Sequence, residues 1–245
     1  MKIKLGGLAA IIGSAVLCLT LPAFGQVTVT YNGPGAGDGT ATLTDSQGTS
    51  TAYTGNYNAT ITGLPGASST VVCDDFNHSI SIGQTWNASA LQASSLNAGN
   101  IGNTEFGATI GLGGYAEVAT LVAALFNGTT TLGGISGLTV TDLSEAIWAI
   151  TTPGGITGGL SNNAKSLVTW LTNNVGNLGG SALATYLAQF SNLWILTPNP
   201  KSGTQQELWT SVPEGGAALL YLLLAGLACF GAMKFGGSRS QLEAA

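Results

Sequence analysis

Apolar and polar positions alternate along the first third of the chain. Val27-Thr28-Val29-Thr30-Tyr31 reads with a period of two, as do Thr40–Thr44 and Ala59–Thr62, with Tyr53 and Tyr57 between them. Gly33-Pro34-Gly35 and Asp45–Gly48 interrupt these runs with turn-forming residues. Val71-Val72-Cys73 and Ser79-Ile80-Ser81-Ile82 read as further strands on either side of Asp74-Asp75, Gly83 as a break, and Thr85-Trp86-Asn87 as a resumption. This pattern predicts an antiparallel sheet with one face in water, closed as a barrel or stacked as a sandwich.

After Asn97 the period lengthens. Tyr115, Val118, Val122 and Leu125 are spaced by three and four up to Asn127-Gly128, which predicts a helix with a glycine stop. Asp142 reads as the cap of a helix over Leu143–Ile150, with Glu145 completing a capping box and Pro153-Gly154-Gly155 ending it. Ser161 opens a helix through Leu167, Trp170 and Leu171, and Ser181 one through Leu183, Tyr186, Leu187 and Phe190. Trp194-Ile195-Leu196 and Glu207-Leu208-Trp209 read as closing strands, with Pro198 and Pro200 in the loop between them. The expected fold is α+β: a β-rich antiparallel N-terminal half, a helical middle and a closing C-terminal strand.

Both ends follow other rules. Lys2 and Lys4 precede an apolar run from Leu5 to Leu21 and small residues at Ala23 and Gly25, the layout of a secretory signal peptide, residues 1–25, cut before Gln26. Near the other end Ala217–Met233 contains 17 uncharged residues followed by Lys234 and Arg239. That length is close to the minimum for a transmembrane helix, and the basic residues after it place the C-terminus in the cytoplasm and the body outside. Residues 26–211 between these segments read as a single extracytoplasmic domain, large enough to bury about 70% of its unfolded surface.

The C-terminal segment 212–245 carries a three-part order: the short motif Val212-Pro213-Glu214-Gly215-Gly216, the apolar helix 217–233 and the basic tail 234–245. It resembles the PEP-CTERM sorting signal of Gram-negative bacteria, with Gly215 where the family has its second proline, as in the acidobacterial type of tail. The resemblance implies recognition by an exosortase-type membrane protease, passage through the membrane by way of the C-terminal helix, and association with exopolysaccharide or the outer surface.

Composition narrows the function. Only 7% of the 245 residues are charged, against about 25% in an ordinary domain. Six basic residues cannot neutralise a run of phosphates, which excludes a nucleic-acid partner. One histidine and three cysteines leave little for a zinc site, and neither a phosphate loop nor a dinucleotide fingerprint is present, so no metal or cofactor is expected. Residues 26–213 hold two basic and nine acidic residues, a net −7, and the polar surface must come mainly from Ser, Thr, Asn and Gly.

The chemistry-bearing stretch is Cys73-Asp74-Asp75-Phe76-Asn77-His78. Cys73 is the only cysteine between the two end segments, so it reads either as a reactive thiol or as a buried structural one. Asp74, Asp75, Asn77 and His78 read either as oxygen and nitrogen ligands of a hard cation or as the organisers of an Asx-type turn. Among the five tryptophans, Trp86, flanked by Thr85 and Asn87, is the candidate for stacking on a ligand; the apolar neighbours of Trp148 and Trp194 point to the core.

Cys73-Asp74-Asp75-Phe76, Gly83–Trp86, Tyr115–Ala119 and Glu145-Ala146-Ile147-Trp148 together resemble the order of elements in thioester-domain surface proteins. That family bonds a strand cysteine to a glutamine four residues before a tryptophan. Here Ser144 holds the position, without a carboxamide, while Gln205 stands at the same spacing before Trp209. The expectation is therefore an exported, non-enzymatic cell-surface or matrix protein. An adhesin-like domain with a reactive Cys73 is the alternative, and an extracellular hydrolase, which needs a pair of carboxylates across a cleft, stands behind it.

Overall fold

The threonine-rich alternation closes on itself. The computed structural model describes residues 24–35, 39–201 and 205–213. Ten strands run in chain order: β1 Phe24–Pro34, β2 Gly39–Asp45, β3 Gly48–Thr54, β4 Asn56–Thr62, β5 Thr70–Cys73, β6 Thr85–Gln92, β7 Thr131–Leu132, β8 Ile135–Ser136, β9 Leu193–Pro198 and β10 Leu208–Ser211. Between β6 and β9 lie α1 Gly107–Phe126, α2 Val140–Thr151, α3 Asn162–Leu171 and α4 Gly180–Leu187. Six strands form a closed antiparallel barrel in the order β1-β4-β5-β10-β9-β6, and β2-β3 and β7-β8 are separate hairpins. The fold is α+β, the last two strands complete the barrel, and the barrel is the form the β-rich half takes. Closure leaves none of these six strands with an unpaired edge.

Two hydrophobic clusters follow from the period of two. Inside the barrel sit Val27, Val29 and Tyr31 of β1, Tyr57 and Ala59 of β4, Val71 and Cys73 of β5, Trp86, Ala88 and Ala90 of β6, Leu196 of β9 and Leu208 of β10. The alternate residues of one side, Val72, Leu91, Leu193, Ile195 and Trp209, face outward into the second cluster, which the helices complete. Strands β5, β9 and β10 are thus apolar on both faces. On β1, β4 and the first part of β6 the outward residues are mainly Thr and Asn, cross-linked in pairs such as Thr30 Oγ1 with Thr85 Oγ1 at 2.8 Å and Asn32 Nδ2 to Thr60 Oγ1 at 3.0 Å. Such cross-strand pairs stabilise by roughly 0.2–1 kcal/mol each.

Helix α1 is the centre of the helical layer and is buried from Gly114 through Val122. It begins eight residues before the Tyr115 of the 3.6-residue pattern, at Gly107. At Gly111 the backbone turns left-handed, φ 63° and ψ −169°, a conformation that glycine reaches without the clash a Cβ would bring. The helix is long and apolar enough to cross a membrane, with mean hydropathy 1.5, but 61% of that stretch is buried in the protein as a core helix.

Local signals are shifted in several places. Thr139, not Asp142, is the N-cap of α2: its side chain accepts from Asp142 N–H at 3.1 Å, and Asp142 accepts from Thr139 N–H at 2.9 Å, the reciprocal capping box. Glu145 is instead spent on the next helix, accepting from Ser161 N–H at 2.8 Å, while Ser161 caps α3 as its sequence position predicts. The fourth helix starts at Gly180 rather than Ser181, and Pro198 is the last residue of β9 rather than part of the loop. Ser79–Ile82 is not a strand, because Asp75 and Gln84 side chains take the backbone N–H groups of Asn77, His78 and Ser81 that a ladder would need. The signal segment up to residue 23, Glu214–Gly216, the expected helix 217–233 and the tail 234–245 lie outside the described residues.

Replacing Thr139 with Ala removes one half of the capping box while leaving its surroundings in place. Urea denaturation of the T139A variant is expected to show a loss of about 1 kcal/mol, within the roughly 0.5–2 kcal/mol of lost caps.

Candidate functional site

The end of β5 is where barrel, hairpin and helices meet, and Cys73, Asp74 and Asp75 turn in three different directions there. Cys73 Sγ faces the barrel interior, 2% exposed, and is held by the next residues: it donates to Asp75 O at 3.2 Å and accepts from Asp75 N–H at 3.3 Å. Burial pushes its thiol well above the usual range, and the carboxylates of Asp75 and Asp74 push the same way. The reactive form of cysteine is the thiolate, so this environment opposes reactivity. Leu208, not Gln205, is its register partner on β10. Ser144, at the position of the thioester glutamine, accepts from Gly55 N–H at 2.9 Å and ties α2 to the β3-β4 turn.

Asp74 points into the seam between barrel and helices, where it meets Glu207. Both are wholly buried. Glu207 accepts from Glu105 N–H at 2.8 Å, from Tyr115 Oη at 2.5 Å and from the Thr197 hydroxyl, and Asp74 Oδ2 accepts from Trp209 Nε1 at 2.7 Å. Tyr115 and Trp209 stack with ring centroids 6.0 Å apart. The two carboxyl groups are close enough for each to influence the other's protonation. Burial, followed by the charge of Glu207, drives Asp74 well above the carboxylate range; burial also raises Glu207, while its donors from Thr197, Tyr115 and Glu105 oppose the rise. Glu207 accepts three donors and Asp74 one, so Glu207 is the better stabilised as an anion. Oδ1 of Asp74 is buried with no hydrogen-bond partner among the described residues.

Asp75 turns the other way and builds the loop that follows. Its Oδ1 accepts from Asn77 N–H at 2.9 Å and His78 N–H at 3.2 Å, an Asx-type turn, and its Oδ2 lies 2.6 Å from His78 Nδ1. Burial raises the Asp75 carboxyl, opposed by the bond to His78. Gln206 Nε2 closes the arrangement by donating to Asp75 O at 2.9 Å and to His78 O. Of the two readings of Asp74, Asp75, Asn77 and His78, the turn is the one these bonds form. Asp74 is separated from the other three, and no cluster of His, Cys, Asp and Glu suited to a metal ion occurs among the described residues.

A cleft of about 350 Å³ opens beside this loop, bounded by the β2-β3 hairpin, the 75–80 loop and α2. Tyr53, 56% exposed, stands in its wall, and Trp148, its ring tilted against that of Phe76 with centroids 5.5 Å apart, lines it from the helical side. A hydrolase would need a nucleophile or a pair of available carboxylates in this cleft, and the two that line it, Asp45 and Asp75, accept from the backbone N–H groups of the turns they organise. Among the described residues no serine, threonine or cysteine side chain bonds His78, and the carboxylate pair Asp74–Glu207 lies in the core instead. Trp86, the sequence's candidate for stacking, is 7% exposed inside the barrel, because its period-two phase matches Ala88 and Ala90. Trp148 is buried as its apolar neighbours predict, while Trp194 is half-buried against the barrel cluster.

Tyr115, Glu207, Gln206 and Tyr53 were not singled out as site residues by the sequence pattern. One signal for Glu207 exists: it lies two residues before Trp209, hence on the same, helix-facing side of the strand. Another buried acid, Glu117 on α1, lines a further cleft of about 350 Å³ with Thr172, and burial pushes it up to about 7. Comparison with family models, curated proteins and solved structures finds no match for this chain.

Three outcomes are expected. Cys73, in native protein, should resist alkylation at pH 8 and react within minutes once the chain is unfolded in guanidinium; rapid labelling of the folded protein would contradict its burial. Acids whose folded pKa is raised bind more protons in the native state than unfolded, so stability falls as pH rises through the interval above the unfolded carboxylate range. Denaturation midpoints should therefore decline from pH 5 to pH 8, and the decline should be shallower in D74N, which still accepts from Trp209, and in E117Q. D74A, by contrast, leaves the Trp209 N–H buried and unpaired and should lose about 1–3 kcal/mol at pH 5.

Proposed function

We propose that the chain is an exported, non-enzymatic surface or matrix protein whose body is a barrel-based module. On this reading residues 1–25 direct export, the segment 212–245 is recognised by an exosortase-type membrane protease, and the C-terminal helix holds the chain in the membrane until processing. The module then resides at the outer surface or outside the cell, in association with exopolysaccharide. The carrying observation is that the acids and thiol which the sequence offers for chemistry are committed to the fold: Cys73 to its own loop, Asp74 to Glu207 and Trp209, Asp75 to His78 and the turn. The exposed side of the barrel, built from paired Thr and Asn side chains, supports the same reading, since it presents hydrogen-bonding groups and little charge to the surroundings.

The proposal is tested by fractionating cells of the source organism and taking the intact mass of the protein under denaturing conditions. A mass corresponding to a chain that begins at Gln26 and ends near Pro213, found in the outer-surface or extracellular fraction, is the expected result. Substituting both Pro213 and Glu214 with Ala should leave the tail attached and raise the mass accordingly. A cytoplasmic chain that retains residues 1–25 would overturn export, and an unprocessed tail in the wild type would overturn sorting.

A further inference from the structure

The cleft beside the 75–80 loop has the chemistry of a ligand site, and we infer that it binds a short stretch of a neutral saccharide. The inference rests on the export proposed above, which would bring the cleft into contact with extracellular glycans. Its volume of about 350 Å³ lies at the lower end of the roughly 300–1,000 Å³ of small-ligand sites, enough for a few sugar units at most.

Three features select the ligand class. Charge is the first: no Lys or Arg lines the cleft, and its two carboxylates are already engaged, Asp75 by His78 and the turn, and Asp45 by the N–H groups of Gln47 and Gly48 at 2.7 and 3.0 Å. An anion would find no counter-charge there and would meet a body of net −7. A cation would compete with bonds already made. Pre-set polar groups are the second feature. Gln206 is pinned through Nε2 to two backbone carbonyls, which leaves Oε1 as an acceptor, and His78 is fixed through Nδ1, which leaves Nε2. The side chain of Gln47 is exposed at the rim. Neutral hydroxyl groups suit this mixture of donors and acceptors, and groups held in advance lose little entropy on binding.

Aromatic surface is the third. Tyr53 presents an open ring on the hairpin, and the C–H face of a sugar ring packs against such a surface. Its backbone carbonyl accepts from Tyr57 Oη, so the hairpin strand that carries it is tied to the barrel.

Isothermal titration calorimetry of the full chain in detergent, with maltotriose, cellotriose and mannotriose as probes and trigalacturonate and spermidine as charged comparators, tests the inference. At least one neutral trisaccharide should bind saturably and quench tryptophan fluorescence. Y53A should weaken binding about tenfold and Q47A severalfold. Tyr53 is exposed and its backbone carbonyl is kept in the variant, so an unchanged melting temperature is expected for Y53A. No saturable binding of any neutral probe, tighter binding of either charged probe, or neutral binding indifferent to both substitutions would each overturn the assignment. These outcomes leave export and tail processing untouched, since those are read from mass and fraction.

Discussion

The barrel and the helical layer are joined by a buried carboxylate, and the rest of the structure is arranged to tolerate it. Glu207 brings a negative charge into a seam from which water is excluded, a placement that costs several kcal/mol unless the charge is fully bonded. Donors reach it from three further parts of the chain: Thr197 on β9, Tyr115 on α1 and the backbone of Glu105 ahead of α1. Asp74, just after β5, is pushed toward its protonated form by burial and by the charge of Glu207, which disfavours a second charge in the seam. Each donor satisfies the anion and, in doing so, fixes the segment it comes from. The position of α1 on the barrel is thus specified by hydrogen-bond geometry as well as by apolar contact, which on its own would allow neighbouring registers.

That specification matters because the covering layer is otherwise undirected. The residues that β5, β9 and β10 turn toward the helices are Val, Leu, Ile and Trp, and the facing side of α1 is Val, Ala and Leu. Such surfaces stabilise in proportion to the area removed from water and discriminate weakly between alignments. Trp209 supplies both kinds of interaction: its ring stacks on Tyr115, and its N–H reaches Asp74. A single strand position therefore ties together the apolar contact and the polar network.

The two-residue period was enough to read most of the barrel strands, with Thr and Asn marking the wet side of β1, but not the short β7-β8 hairpin or the inward face of Trp86. The 3.6-residue period likewise located the helices near their observed places. Boundaries shifted where side chains compete for the backbone: Thr139 displaces Asp142 as cap because it lies one residue before the helix, with Asp142 at N3 to return the bond. Ser79–Ile82 alternates like a strand, yet its neighbours' N–H groups are taken by Asp75 and Gln84. The site was less legible. The Cys73–His78 stretch stands out by composition, but its residues diverge into the barrel, the seam and the cleft. Glu207 and Gln206 lie 128 or more residues downstream and are brought near by the barrel's closure, while Tyr53 faces the stretch across the cleft from a separate hairpin.

The cleft has the same origin as the lost strand. Had residues 74–84 continued β5 as a ladder, Asp75 would lie flat on the sheet and the chain would have no wall opposite the β2-β3 hairpin. The Asx turn instead lifts the loop from the barrel, and the bonds of Gln206 to Asp75 O and His78 O hold it there against β10. The hairpin is fixed from its own side by Thr54 with Thr141 at 3.0 Å and by Gly55 N–H to Ser144. Both walls are thereby anchored to α2 or β10, the elements that also carry the seam. A concavity between two pinned loops keeps its shape without a ligand, and polar groups held in advance lower the entropy that binding there would cost.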